Sequence, residues 1–195
     1  VTPPTALVIA VADVRDDHLR AANGDAEDSY VERLIRSGTR MAERETQRSL
    51  LLQTIELALE GFPGGGEIRL PRPPIVVVDS ITYTDPDGAE QTLDEDLYVL
   101  RETGRDLNRE GLIERAYDTT WPETRCHPGA VVVTYQAGYV TSGSPQDADV
   151  PDDIVHGVQL VVGEFYKQRS ESVHTMNQNP ALIRARDLWR GYTVY

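Results

Sequence analysis

Cysteine and long hydrophobic runs are scarce in this chain, and each shortage closes off a class of function. Cys126 is the one cysteine among 195 residues. An intramolecular disulfide framework and a multi-cysteine zinc or iron–sulfur centre are therefore excluded, and a reducing compartment fits. Long hydrophobic runs are also missing. The apolar stretch Leu7 to Ala12 falls far short of the ~20 residues that span a bilayer, and no Lys or Arg precedes it as a signal peptide requires. The expectation is a chain that neither crosses a membrane nor carries an export signal. Lys167 is the sole lysine beside eighteen arginines, a bias that genome composition explains and that carries no functional weight.

What is abundant is negative charge. Thirty-two Asp and Glu stand against nineteen Lys and Arg, for a net charge of −13. Such a surface opposes non-specific binding of nucleic acid, although local basic patches remain compatible with it. A 39% hydrophobic content in a chain of this length suits one domain whose core removes about two thirds of the unfolded surface from water.

Punctuation along the chain separates helices from strands. Asp13 to Ala22 reads as a short helix stopped by Asn23-Gly24. Asp25 then reads as the cap of a longer helix, with Val31, Leu34, Ile35, Gly38, Met41 and Ala42 at helical spacing through about Gln47. From Leu50 onward, short apolar runs alternate with Phe62-Pro63-Gly64-Gly65-Gly66, Pro71-Arg72-Pro73-Pro74 and Asp85-Pro86-Asp87-Gly88, which are turn formers. The segments between them predict strands at Leu51–Leu59, Glu67–Leu70, Ile75–Thr84, Leu97–Leu100, Leu112–Arg115 and Ala130–Tyr135, forming a small antiparallel sheet or barrel.

A polar loop from Gly138 to Asp149 leads to Pro151 at a first helical position. The helix that follows carries the apolar stripe Ile154, Val155, Val158, Val161, Val162, Phe165 and Tyr166 to about Ser170. Asn179-Pro180 opens a last helix, which Gly191 ends. The fold class is α+β: a small helical bundle core at about 10–48 and 150–190, an antiparallel β insertion at about 50–137 between the second and third helices, and a C-terminal helix with an extended tail, 191–195. All of it reads as a single domain over 1–195.

Catalytic motifs are weak. Gly64-Gly65-Gly66 lacks the Lys-Ser/Thr and helix of a P-loop and reads as a hairpin turn. Asp85, Asp87 and Asp96 have the outer spacing of a calcium loop, but Pro86 and Glu90 occupy positions that such a loop does not allow. Cys126-His127 are sequence neighbours that point apart in an extended segment, and His18, His156 and His174 form no ligand pair. No catalytic residue, metal ligand or cofactor is assigned. A carboxylate-dependent hydrolase and a small-molecule or peptide-binding β module stay open as alternatives.

Two patterns point to interaction surfaces. Arg33, Arg36, Arg40, Arg44 and Arg48 fall within about 120° of a helical wheel, opposite the apolar face. Like charges at four-residue spacing cost about 0.2–0.5 kcal/mol per pair. The stripe therefore calls for an acidic partner: a carboxylate surface of the same or a neighbouring subunit fits the acidic total better than solvent or phosphate does. The tail, with Trp189, Tyr192, Val194 and Tyr195, either folds back on its own core or lies as an arm in a partner's groove.

The order of these segments resembles the head–tail connector (adaptor, head-completion) family of tailed bacteriophages, which also occurs in phage-derived gene transfer particles. The likeness runs through His18-Leu19-Arg20, Phe62-Pro63-Gly64-Gly65 with Ile68-Arg69-Leu70-Pro71, Pro73-Pro74-Ile75 and Ile81-Thr82-Tyr83. It continues through Asp85-Pro86-Asp87-Gly88, Tyr98-Val99-Leu100, Trp121-Pro122, Val131 to Tyr139, Val150-Pro151-Asp152-Asp153-Ile154 and Phe165-Tyr166-Lys167-Gln168-Arg169. The resemblance implies a non-enzymatic virion protein, assembled in the bacterial cytoplasm, that forms a ring of about twelve copies beneath the portal protein by analogy with such rings. A tail-side completion protein would bind its far face, and DNA would pass through without sequence recognition. It implies portal docking by the C-terminal segment, Leu188, Trp189, Arg190, Tyr192, Val194 and Tyr195, in which Leu188 and Tyr192 match the family's ending.

Overall fold

From Val131 to Ala137 the side chains alternate between buried and half-exposed, and Val131, Val133, Tyr135 and Ala137 point inward. A computed structural model describes residues 6–19, 27–105, 109–140, 149–167 and 179–194. The expected Asn23-Gly24 stop, the Asp25 cap, the end of the third helix at Ser170, the 141–148 part of the polar loop, His174 and Tyr195 lie outside the described residues. Contacts group the chain into two compact units, one built on Leu52–Tyr139 and the other on Thr5–Leu51 with Val140–Thr193.

Among the described residues the first unit holds seven strands: β1 (Gln53–Leu59), β2 (Glu67–Leu70), β3 (Ile75–Thr84), β4 (Glu90–Thr92), β5 (Tyr98–Glu102), β6 (Gly111–Arg115) and β7 (Val131–Ala137). They form two antiparallel sheets, ordered β1-β7-β3-β4 and β2-β6-β5. The expected sheet or barrel is thus a pair of sheets around one core. Ile55, Ile81, Val133 and Tyr135 of the first sheet share a cluster with Ile68, Leu70 and Ile113 of the second. Fully burying such a side chain contributes about 1.5–3 kcal/mol.

Strand β4 has no counterpart in the sequence reading, because Glu90, Gln91 and Thr92 are all exposed and show no apolar alternation. Its pairing with Thr82–Thr84 makes it a strand. The Asp85–Gly88 turn joins the two: the Gly88 N–H donates to Asp85 O at 3.0 Å and Asp85 Oδ1 accepts from Ala89 N at 2.9 Å. That backbone bond, followed by one from Gln91, holds the Asp85 carboxyl below its usual pKa.

Where β6 begins, the second sheet meets β3 at a glycine. A Cβ on Gly111 would lie 2.3 Å from Ile75 Cγ1. Gly111→Ala is expected to destabilise the protein by about 1–3 kcal/mol through overpacking. A urea titration checks this, and an unchanged midpoint would refute the close approach.

The second unit is helical. A single α turn, α1 (Val11–Asp13), runs into a π-turn, Val14–Leu19, so the expected first helix from Asp13 is wider-wound within the described residues. Helix α2 (Asp28–Thr46) buries Val31, Ile35, Gly38 and Ala42, whereas Leu34 and Met41 are half-buried. Gly38 lets α3 (Asp152–Lys167) come close, since a Cβ there would stand 3.2 Å from Val158 Cγ1. Pro151 precedes α3 instead of opening it, and its carbonyl accepts from the N–H groups of Ile154 and Val155. Helix α4 (Pro180–Arg190) starts as read: Asn179 Oδ1 accepts from Ala181 N at 2.9 Å, with Pro180 in the first position.

Candidate functional site

Helix α2 turns its arginines outward because its buried face is occupied by α3 and α4. Arg33, Arg40 and Arg44 are exposed. Arg33 lies over the Tyr30 ring at 5.8 Å, and Arg36 pairs with Glu32 at 2.8 Å one turn earlier. Among the described residues, the Arg40 and Arg44 guanidinium groups have no ion-pair or hydrogen-bond partner. They form the uncompensated part of the ridge.

Arg48 departs from the expected stripe. The helix ends at Thr46, and Gln47 adopts φ 57°, in the left-handed region. The wheel therefore stops applying, and Arg48 turns inward until it is only 1% exposed. Its Nε donates to the carbonyl of Tyr192 at 2.7 Å. Glu43, also buried, accepts from Leu50 N at 3.1 Å. Arg48 is thus an internal tie and offers no surface to a neighbouring subunit.

Helix α4 lies alongside α2, with Arg186 Nε 3.1 Å from Glu45 Oε1. Trp189 is fully buried: its Nε1 donates to Ile154 O at 3.2 Å, and its ring covers Gly157, where a Cβ would stand 2.3 Å from Nε1. Of the two readings left open for the aromatic ending, Trp189 takes the folded-back one and is a core residue, because α3 supplies a glycine-floored seat for the indole. Arg190 is exposed, Leu188 and Tyr192 are half-buried, and Val194 is buried.

The bonds that hold the segment after α4 against its own unit include three from side chains. They are the Arg48 contact, Tyr192 OH to Asp153 Oδ2 at 3.3 Å and Thr193 Oγ1 to Glu45 O at 3.3 Å. Of the two conformations left open for the tail, residues 191–193 adopt the folded-back one.

Sites for chemistry are sparse in what is described. No group of three or more His, Cys, Asp or Glu capable of holding a metal occurs among the described residues. Cys126 is exposed, and His127 Nδ1 lies 2.9 Å from Pro128 O. Two grooves mark the β unit. One of about 280 Å³ is lined by Glu67, Arg69, Glu102, Arg109 and Glu110, and one of about 580 Å³ by Phe62, Pro63, Pro86, Trp121 and Pro122. Phe62 stacks on Trp121 at 4.9 Å, and the buried Trp121 Nε1 has no hydrogen-bond partner among the described residues.

The resolved carboxyl shifts, at Asp16 beside Arg15 and at Asp85, are both downward and lie outside these grooves. A lowered pKa keeps the group ionised and unsuited to donate a proton near neutrality. Burial pushes the Tyr135 phenol up, and its hydroxyl donates to Pro71 O at 2.8 Å as a structural tie. No helix among the described residues is long and apolar enough to cross a membrane.

No protein-family profile matches the chain, and no curated relative matches it in sequence. Solved structures do match it in fold. A chain in the neck of an empty GTA particle, computed with C6 symmetry, aligns with TM-score 0.75 and 23% identity over 98% of this chain and 94% of that one. A chain in the virion of a native gene transfer agent (GTA) particle aligns with TM-score 0.72 and 24% identity, covering 98% and 93%. A chain in the neck of a native GTA particle, computed with C12 symmetry, aligns with TM-score 0.67 and 21% identity, covering 100% and 95%. Over essentially its whole length, this α+β chain has the fold of proteins found in the necks of gene transfer agent particles.

Proposed function

We propose that this chain is a structural, non-enzymatic head–tail connector of a phage or phage-like particle. It binds the portal protein at the capsid vertex as a ring and carries a tail-side completion protein on its opposite face. The observation that carries this reading is the near-complete fold match to chains from particle necks solved with six-fold and twelve-fold symmetry. A ring of twelve copies suits both symmetries.

The charge supports passage of DNA. A net charge of −13 repels phosphate, so a duplex slides past such a wall without sticking or sequence readout. Portal docking falls to the C-terminal segment: Arg190, Leu188 and Tyr192 supply exposed and half-exposed contacts, while the buried Trp189 holds that segment in shape from inside. Arg33, Arg36, Arg40 and Arg44 form a subunit interface. The particle's head–tail junction is the expected location, after assembly in the bacterial cytoplasm.

Co-sedimentation of the purified chain with portal-bearing, tailless capsids tests the reading, followed by averaging of the vertex in electron micrographs. Extra ring density below the portal is the expected result. A folded chain that leaves intact portals bare would reduce the likeness to shared fold.

A further inference from the structure

Helices α2 and α4, which pack together, each carry exposed arginines that have no ion-pair partner among the described residues. Arg40 and Arg44 stand one turn apart on α2, and Arg186 and Arg190 one turn apart on α4. The Arg186–Glu45 bridge sets the two rows side by side. Arg186 is satisfied by that bridge, whereas Arg40, Arg44 and Arg190 are exposed and have no ion-pair partner among the described residues. Like charges at i,i+4 repel, and a planar guanidinium binds carboxylate through paired N–H donors. A carboxylate-bearing surface relieves the first and uses the second.

The β unit of the same chain carries that chemistry. Residues 52–139 include 16 acidic residues against 7 arginines, a net charge of −9. Between β4 and β5, Asp94, Glu95 and Asp96 are all exposed, as is Glu90 on β4. Asp94 Oδ1 accepts from Asp96 N at 3.0 Å and caps the 3₁₀ turn Glu95–Leu97, so these carboxylates are presented on a formed turn. Glu90, Glu95 and Asp96 have no cationic partner among the described residues. The elements beside these charges also carry exposed aliphatic side chains: Ile183 on α4 is 45% exposed and Val99 on β5 is 49% exposed.

We infer that copies of this chain associate head to tail, the Glu90/Asp94–Asp96 turn of one copy seating on the Arg40, Arg44 and Arg190 face of the next. The two surfaces differ, so the contact is heterologous, and repeating it closes a ring when the rotation per copy allows. A second copy is the occupant this face fits, because its β unit presents exposed carboxylates on a formed turn, and such carboxylates take the paired N–H donors of the ridge's guanidinium groups. The inference rests on the ring reading above and names the surface that meets the arginine ridge.

Charge exchange tests it. One variant carries Arg40→Glu, Arg44→Glu and Arg190→Glu; the other carries Glu90→Arg, Glu95→Arg and Asp96→Arg, leaving the Asp94 cap in place. Each alone faces like charge with like and is expected to self-associate about tenfold or more weakly than the parent chain in sedimentation velocity. An equimolar mixture restores opposite charges at every contact and is expected to recover association. In a Cys126→Ser background, Arg44→Cys mixed with Glu95→Cys is expected to give a disulfide dimer, which traps even a weak contact. A mixture that stays dissociated, or a reversed variant that associates like the parent, overturns the inference. Recovery on mixing without binding of the parent chain to portal-bearing capsids upholds this contact and removes the connector reading.

Discussion

Trp189→Ala is expected to cost about 3–5 kcal/mol, a large share of the 5–15 kcal/mol that holds a typical domain together. The indole is fully buried, seated on Gly157 and bonded to Ile154 O. Its loss leaves both a cavity and an orphaned seat on α3. A thermal melt followed by circular dichroism should fall by roughly 10 °C or more for a chain of this size.

The companion change is diagnostic. Gly157→Ala alone places a methyl 2.3 Å from the indole nitrogen. Overpacking of about 1–3 kcal/mol then outweighs the roughly 1 kcal/mol gained by replacing a helical glycine. In the Trp189→Ala background the same methyl enters vacated space, and Gly157→Ala should become stabilising by about 1 kcal/mol. A sign that does not reverse would mean that the indole does not rest on Gly157.

Arg48→Ala is expected to release the segment after α4. Arg48 is 1% exposed and its Nε donates to Tyr192 O at 2.7 Å. A hydrogen bond to a charged donor is worth about 1.5–3 kcal/mol, so local opening of that segment should rise roughly 10- to 100-fold. Trypsin cleavage after Arg190, followed by mass spectrometry, reads this directly. Equal cleavage rates in the parent chain and the variant would show that Arg48 does not hold the segment. Arg48→Lys keeps the charge without the planar donor and should fall between the two. The contact also bears on tail truncation: removing Gly191–Tyr195 deletes the Tyr192 carbonyl that accepts from Arg48 as well as the proposed docking residues Tyr192, Val194 and Tyr195, so a truncated chain would mix lost stability with any loss of capsid binding.

Much of the architecture was legible where local chemistry decides it. Asn179 and Pro180 start a helix by a side-chain bond two residues long and a pre-set φ, so the reading and the structure coincide there. Ile75–Thr84 likewise follows from a β-branched run behind Pro74, and Glu67–Leu70 from the Gly64–Gly66 and Pro71 turn formers that bound it. Strand β4 was illegible because three polar, exposed residues carry no periodicity and owe their conformation to Thr82–Thr84 across the turn. Arg40 and Arg44 were readable from the wheel, since both stay within regular helix. Arg48 was not, because a single residue of positive φ at Gln47 ends the periodicity one residue before it.

Sequence alone determined the acidic total, the α+β class, the placement of helices and strands by their periods and caps, and the outward direction of the Arg40–Arg44 row. All of these depend on composition or on residues within a turn or two of each other. Only the tertiary structure decided that Trp189 is core, that Arg48 is an internal tie, that Glu45 meets Arg186 and that residues 191–193 fold back. Those contacts join positions 35, 144, 141 and 148 residues apart in the chain. Hydrophobicity and charge say that such side chains need partners, but the choice of partner belongs to the helix packing that brings distant residues together.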